Sequence, residues 1–479
     1  MYLGLDLGTS GIKALLIDDD QAIVAEATAP LNVARLHSGW SEQDPGDWIV
    51  AAQTVLGTIS AENDLGGVLA IGLSGQMHGA TLLDRAGKVL RPCILWNDTR
   101  AHAEAAAFDA DPDFRQISGN IVFPGFTAPK LAWIKTHEPD IFEGTAKVLL
   151  PKDYLRFWLT GEYVSEMSDA AGTSWLDTGR RDWSDTLLAA TGLGREHMPG
   201  LVEGSDISGG LRGDIASTYG MRPGLAVAGG AGDNAASAVG VGVVKAGQAF
   251  VSLGTSGVLF AANDGYLPDP DTALHTFCHA LPDRWHQMGV ILAASDALAW
   301  YGRLVGHDPA QLTGELGDLT GPGRAVFLPY LGGERTPHND AHVRAVMSGL
   351  EHATDRAAGT RAVLEGVAFA FADSFAAIAG TGARIDHLIA VGGGSRSQYW
   401  LSVIATVLGV PIHVPAAGDF GGAFGAARLA MMAAGQGGAE IAVPPPTDQI
   451  IEPVSGLGGA FQDAYQRYRA TYAALKDLS

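Results

Sequence analysis

The pentapeptide Leu7-Gly8-Thr9-Ser10-Gly11 occurs twice, the second time as Leu253-Gly254-Thr255-Ser256-Gly257. Each copy is flanked by apolar, strand-like runs, Leu5 to Asp18 around the first and Val251 to Asp264 around the second. A tight glycine turn between two such runs predicts a β-hairpin. A hairpin repeated at this distance predicts two related domains rather than one large core. A looser repeat agrees: A-G-D-N-A-A-S-A begins at Ala231 and A-G-D-F-G-G-A-F at Ala417. The length of 479 residues also exceeds what one hydrophobic core normally organises. The expected domains are 1–243 and 244–479, meeting near Val243–Lys245.

Within each domain, helical and strand signals alternate. Asp44–Ser60 reads as the first helix, with Asp44-Pro45 as its start. Val68–Leu73, Gly224–Gly230 and Leu388–Val391 read as short buried strands, and Asn234–Val241 as the start of a helix. Alternation of this kind predicts an α/β fold with helices on both faces of a largely parallel sheet. The cleft between two such domains is the expected ligand site.

Composition narrows the function. Apolar residues are 47% of the chain and charged residues 17%, and the 64 glycines follow no collagen-like period. Such an excess fits many tight turns and close backbone approaches. A formal charge of -21 leaves no basic footprint for nucleic acid or an anionic membrane surface. Two cysteines, Cys93 and Cys278, give no disulfide framework and no cysteine-based zinc site. The start of the chain lacks a signal-peptide pattern, and the greasiest stretch, Ala362–Ala379, is broken by Glu365 and Asp373. A soluble cytoplasmic protein is expected.

Five segments carry candidate chemistry. Asp6 ends an apolar strand and precedes the first glycine turn. Backbone N–H groups in that turn, with the Thr9 and Ser10 hydroxyls, form a concavity for an anion. A carboxylate among leucines needs an offsetting partner, and a hydrated magnesium ion supplies one. The second copy keeps the turn but has Ser252 where the first has Asp6, an asymmetry that fits one nucleotide site rather than two. Gly232-Asp233 places a carboxylate at a helix N-terminus, as a general base or as a simple helix cap. Gly392-Gly393-Gly394 allows close backbone approach to a flat or phosphorylated ligand. Met77-His78 follows a strand, and Trp96 to Arg100 mixes an aromatic face with polar groups, a combination that grips sugars. A histidine so placed, with no flanking metal ligands, is more often structural.

Gly230, Gly232 and Ala235 also spell G-x-G-x-x-A. A dinucleotide-binding oxidoreductase is the rival reading, but the acidic residue expected about 20 positions later is missing from Val251–Ser256. No Walker A motif occurs, which excludes a P-loop kinase.

Taken together, D-L-G-T-S, P-G-F-T-A-P-K-L-A-W-I-K (Pro124–Lys135), G-G-A-G-D-N (Gly229–Asn234), S-L-G-T-S-G and G-G-G-S-R-S resemble the FGGY carbohydrate kinases in content and order. Finer markers, W-S-E-Q-D-P, G-Q-M-H-G-A, L-W-N-D, L-L-P-K-D-Y-L and G-E-R-T-P-H, resemble the branch acting on a five-carbon ketose. The resemblance implies two actin/hexokinase-like ATPase domains, the first holding the sugar and the catalytic aspartates, the second holding ATP. It implies Asp233 as general base and Asp6 as organiser of Mg²⁺, with Asp233 also on the metal side. Met77 and His78 would contact the ketose, with Trp96 and Asn234 near it. Gly254 and Thr255 would touch the ATP phosphates, and Gly393 and Gly394 the nucleoside. Asp419, ahead of Gly425-Ala426-Ala427, matches the position of a late acid of that family. Other sugar kinases of the family, on ribulose, gluconate or glycerol, and a non-catalytic actin-like module are the alternatives. A small-molecule partner is implied; a homodimer is one assembly left open, and no nucleic acid or membrane partner is expected.

Overall fold

The computed structural model describes residues 1–416 and 420–478. It forms two compact units. Unit 1 contains Met1–Val244, Phe277–Trp285 and the described part of Asp419–Pro444; the other described residues form unit 2.

Unit 1 opens with strands β1 (Tyr2–Leu7), β2 (Gly11–Ile17) and β3 (Ile23–Pro30). The repeated turn joins β1 to β2 as an antiparallel hairpin in which Leu7 faces Ile12. Helix α1 (Pro45–Glu62) begins as its sequence directs: Asp44 accepts a hydrogen bond from the Gly46 N–H, and Pro45 opens the first turn. Strand β4 (Ala70–Gly75) lies parallel to β1. Helices α2 (Thr127–His137) and α3 (Pro151–Thr160) follow, then strands β5 (Ile207–Gly210) and β6 (Ala226–Ala228) and helix α4 (Asp233–Gly240). The sheet order is β5–β6–β4–β1–β2–β3.

Unit 2 repeats that plan. Its strands β7 (Gly247–Leu253) and β8 (Gly257–Asn263) form the second hairpin, with Leu253 facing Gly257. Strand β9 (Trp285–Ile291) reaches unit 2 with His286, and helices α5 (Ser295–Val305) and α6 (Arg356–Gly380) come next. Then follow strand β10 (Ile385–Val391), helix α7 (Gln398–Leu408) and strand β11 (Ile412–Pro415). Helix α8 (Gly422–Ala433) belongs to unit 1, and strand β12 (Thr447–Ile451) and helix α9 (Gly458–Leu475) complete unit 2. The order β9–β8–β7–β10–β11–β12 matches β3–β2–β1–β4–β6–β5 strand for strand. In each unit the fourth strand, β4 or β10, runs parallel to the first, and the pair β6–β5 or β11–β12 at that edge is antiparallel. The duplication read from five residues therefore extends to the five inner strands, whereas the outermost strand precedes its neighbour in the chain in unit 1 and follows it in unit 2.

Two glycines let α8 lie on the sheet of unit 1. A Cβ at Gly4 would fall 1.9 Å from the Ala423 carbonyl oxygen, and one at Gly72 would fall 1.8 Å from that of Ala426. The helix rests directly on strand backbone, which only residues without a side chain permit. Helix α6 is long and apolar enough to cross a membrane by length and composition. It is the central core helix of unit 2 instead, with Val363, Leu364, Val367 and Phe371 fully buried. Glu365 and Asp373 are buried within it and have partners there: Glu365 accepts from the Gly323 N–H at 3.1 Å, and Tyr465 donates its hydroxyl to one oxygen of Asp373 at 2.5 Å.

Candidate active site

Unit 1 gathers the acidic candidates. Asp6 lies at the end of β1, and its carboxylate accepts a hydrogen bond of 2.7 Å from the Ser74 hydroxyl at the end of β4. The start of α8 presses on it: a Cβ at Gly422 would sit 2.8 Å from the Asp6 carboxyl carbon. Asp233 is the first residue of α4, capped by Gly232. It is not the cap that one reading of the sequence allowed. Its Oδ1 accepts from the Asn234 N–H at 2.7 Å and from the Asn234 side-chain amide at 3.0 Å. Part of Asp233 stays open to solvent. Even so, loss of water around the carboxylate, aided by the charge of Asp6, pushes its pKa up to about 6.

The glycines before Asp233 serve packing. A Cβ at Gly229 would meet the Glu203 carbonyl oxygen at 2.2 Å, and one at Gly230, where φ is +74°, the Leu73 carbonyl oxygen at 2.1 Å. At Gly232 it would meet the Met77 sulfur at 2.9 Å. Met77 therefore packs on the backbone immediately before Asp233. His78 follows with φ of +67°, left-handed backbone that a non-glycine residue adopts at a cost of about 1–3 kcal/mol. Its Nδ1 lies 2.7 Å from the Gly172 carbonyl oxygen. A carbonyl cannot donate, so Nδ1 carries a proton. The ring also stacks on Phe126 at 4.5 Å.

Trp96 is 45% exposed, and its indole donates to the Thr9 hydroxyl at 3.0 Å. Thr9 donates in turn to Gln76 Oε1 at 2.9 Å, and Gln76 donates to Gln43 Oε1 at 3.0 Å. The Thr9 hydroxyl proton is thus engaged inside the protein, whereas Ser10 next to it is exposed. Farther along the same segment, Asp98 and Arg100 form a buried pair at 2.7 Å, and the Arg100 guanidinium covers Trp40 at 3.6 Å. The polar end of that segment is structural, and only Trp96 presents an open aromatic face.

Unit 2 brings the two glycine loops together around a cavity of about 980 Å³. Gly254, Thr255, Gly393 and Gly394 line it, with Ser295 from α5 and Trp400 from α7. The Ser295 N–H donates to the Gly254 carbonyl and the Ala294 N–H to that of Thr255, each at 2.9 Å. Gly392, at φ +86°, approaches so closely that a Cβ would sit 2.9 Å from the Leu253 carbonyl carbon. Glycine turns beside a helix start are the kind of backbone that favours an anionic ligand. Sequence reasoning did not find the opposite wall, Asp308 to Gly317, because a short helix and loop there bear no distinctive residue type.

A charged cluster beneath Asp233 was also missed. Lys152, Asp153, Arg156, Glu166 and Asp169 are all 0% exposed. Lys152 lies 2.7 Å from Asp153, 3.5 Å from Glu166 and 3.4 Å from Asp169. Next to Asp169, the Ser168 hydroxyl accepts from the Gly232 N–H at 3.1 Å. Burial, opposed by Lys152 and reinforced by Asp153, Glu166 and Asp233, holds the Asp169 carboxyl well above the usual range. The only signal in the sequence was the P-K-D run at Pro151–Asp153.

Among the described residues no three or more His, Cys, Asp or Glu converge as a protein-built metal cage. Magnesium needs no such cage. One or two carboxylates, completed by water and phosphate oxygens, hold it. Asp6 and Asp233, whose charges oppose each other, fit that donor chemistry. Asp419 lies outside the described residues.

Comparison with known proteins decides the family. Residues 1–240 match the N-terminal domain, and residues 249–434 the C-terminal domain, of the FGGY family of carbohydrate kinases. The chain belongs to that family. This FGGY kinase is 47% identical to the xylulose kinase of Escherichia coli K12, over the whole of both chains. Among solved structures it is similar to a xyloylose kinase from Brucella ovis, with 60% identity, a TM-score of 0.99 and full coverage of both chains. It is also similar to the xylulose kinase from Rhodospirillum rubrum, at 30% identity and a TM-score of 0.93, covering all of this chain and 99% of that one. The two-domain actin/hexokinase-like architecture and the sugar kinase activity expected from the sequence both stand.

Proposed function

We propose that this FGGY kinase transfers the γ-phosphoryl group of ATP to the 5-hydroxyl of D-xylulose, giving D-xylulose 5-phosphate and ADP. The observation that carries the reading is Asp233, a solvent-reached carboxylate at the start of α4 whose pKa lies at about 6. Likeness to xylulose kinases over the full chain supports the choice of sugar.

Asp233 takes the proton of the attacking hydroxyl. With its pKa at about 6 it is ionised at neutral pH yet basic enough to accept that proton. Met77 forms an apolar wall against the carbon chain, and His78 and Asn234 hydrogen-bond hydroxyls. The open face of Trp96 packs on the C–H surface of the sugar. ATP lies in the unit 2 cavity, with its phosphates on the Gly254–Thr255 turn and its nucleoside against Gly393 and Gly394. Magnesium, held from the protein side by Asp6 and Asp233, supplies charge neutralisation at the phosphates. The remaining demand of phosphoryl transfer is positioning, which the two rigid turns provide.

Asp233→Asn tests the base. Its turnover should fall by about 10²–10⁴, while calorimetric affinity for D-xylulose stays near that of the parent. Turnover within a few-fold of the parent in a folded variant would end the assignment.

A further inference from the structure

We infer that Lys130, assisted by Thr127, is a positioning residue for the sugar: it grips the main-chain carbonyl of His78 and so fixes where the imidazole points. The inference rests on the reading of His78 as a sugar contact.

Lys130 is 0% exposed, a costly place for an ammonium group without a countercharge. Among the described residues it has no carboxylate at ion-pair distance, and its Nζ donates to the His78 carbonyl oxygen at 2.8 Å. The Thr127 hydroxyl donates to the same oxygen at 3.1 Å. Both donors come from the first turns of α2.

The carbonyl they hold belongs to a residue in left-handed backbone, φ +67°. Such a conformation persists only when its surroundings over-determine it. At His78 they do so from both ends. The ring is fixed by the Gly172 carbonyl and by Phe126, and the peptide plane by Lys130 and Thr127. The following Gly79 is wedged as well, because a Cβ there would meet Pro151 at 2.5 Å and the Cys93 sulfur at 2.9 Å. Burial lowers the Lys130 pKa to about 7; charged or neutral, its amine donates to this buried carbonyl, and its removal leaves that carbonyl without its main partner. Released, the His78 peptide would turn towards ordinary backbone and carry the ring off the Gly172 bond.

The test compares Lys130→Met, Thr127→Val, Thr127→Ser and His78→Ala in the full chain. Affinity for D-xylulose is measured by calorimetry, and KM for ATP by ADP release. Lys130→Met should weaken sugar binding by about tenfold or more and Thr127→Val by a few-fold, with KM for ATP unchanged in both. Thr127→Ser keeps the hydroxyl and should restore parental affinity. Combining Lys130→Met with His78→Ala should add nothing to His78→Ala alone, because both act through one ring. If His78→Ala weakens the sugar but Lys130→Met and Thr127→Val do not, or if losses add in the double variant, the clamp is wrong. If His78→Ala itself leaves sugar affinity intact, the reading of His78 fails and the clamp with it. Should Lys130→Met not fold, the contrast between Thr127→Val and Thr127→Ser decides: equal affinities overturn the inference.

Discussion

The Trp96 indole donates a hydrogen bond of 3.0 Å to the Thr9 hydroxyl, joining the one open aromatic face of its segment to the first glycine turn. The bond holds the ring on edge while leaving it 45% exposed. It also explains a threonine in that turn: the hydroxyl accepts from Trp96 while donating to Gln76.

Replacing Trp96 separates these two roles. Trp96→Phe keeps an aromatic face and loses the bond to Thr9, a loss of about 1 kcal/mol, so KM for the sugar should rise only a few-fold. Trp96→Ala removes the face and should raise it by about tenfold or more. Equal KM values for the two variants in steady-state assays would mean that the face does not meet the sugar.

The raised pKa of Asp233 makes a pH prediction whose sign is fixed. A carboxyl that titrates at about 6 when folded and near its ordinary value when unfolded costs stability as pH rises through that interval. Asp233→Asn should therefore gain thermal stability over the parent at pH 8 and not at pH 4. In metal-free protein, carbon NMR of labelled aspartate should find Asp233 near 6. Asp6→Asn should move it downward, because one cause of the shift is the Asp6 charge, but not to the ordinary value, because burial remains. An unchanged titration in Asp6→Asn would show that the two carboxylates are not electrostatically linked.

Gly394 links the two glycine loops of the unit 2 cavity, the proposed ATP site. A Cβ there would sit 2.8 Å from both the Leu253 Cβ and the Ser295 hydroxyl. Displacing those neighbours costs about 1–3 kcal/mol, so Gly394→Ala should raise KM for ATP by roughly tenfold and leave KM for the sugar alone. The reverse pattern would assign the cavity to the wrong substrate.

The sequence announces this fold unusually well because its two hairpins repeat a turn that geometry restricts. The first turn must reverse the chain in the four residues between Leu7 and Ile12, and the second in the three between Leu253 and Gly257, and few side chains allow that. Asp6 and Asp233 were legible for a related reason: a carboxylate beside glycines at an element end stands out. The meaning of the glycines was less legible. Gly229 and Gly230 open the G-G-A-G-D-N segment that resembles the family, yet they make room for the Glu203 and Leu73 carbonyls, contacts with distant parts of the chain that no local pattern encodes. Lys152, Glu166 and Asp169 stayed hidden because lysines and acids are ordinary on surfaces. Only their convergence at 0% exposure marks them. Helix α8 shows the same limit, since nothing near Gly422 reveals that it returns to β1 and β4.

The substrate is the central claim, and a sugar panel tests it most directly. ADP release is followed with D-xylulose, D-ribulose, L-ribulose, glycerol and D-gluconate under identical MgATP. The proposed base and metal ligand would serve any sugar of the family, so the groups proposed to meet the hydroxyls, Met77, His78, Trp96 and Asn234, would have to rank these compounds. Polyols and acids that lack the keto group in register should be rejected most strongly, and an epimer that misplaces one hydroxyl less so. D-xylulose should give the highest kcat/KM, with D-ribulose a slower substrate. Preference for any other member by about tenfold or more, or ADP release that no sugar stimulates, would contradict the account.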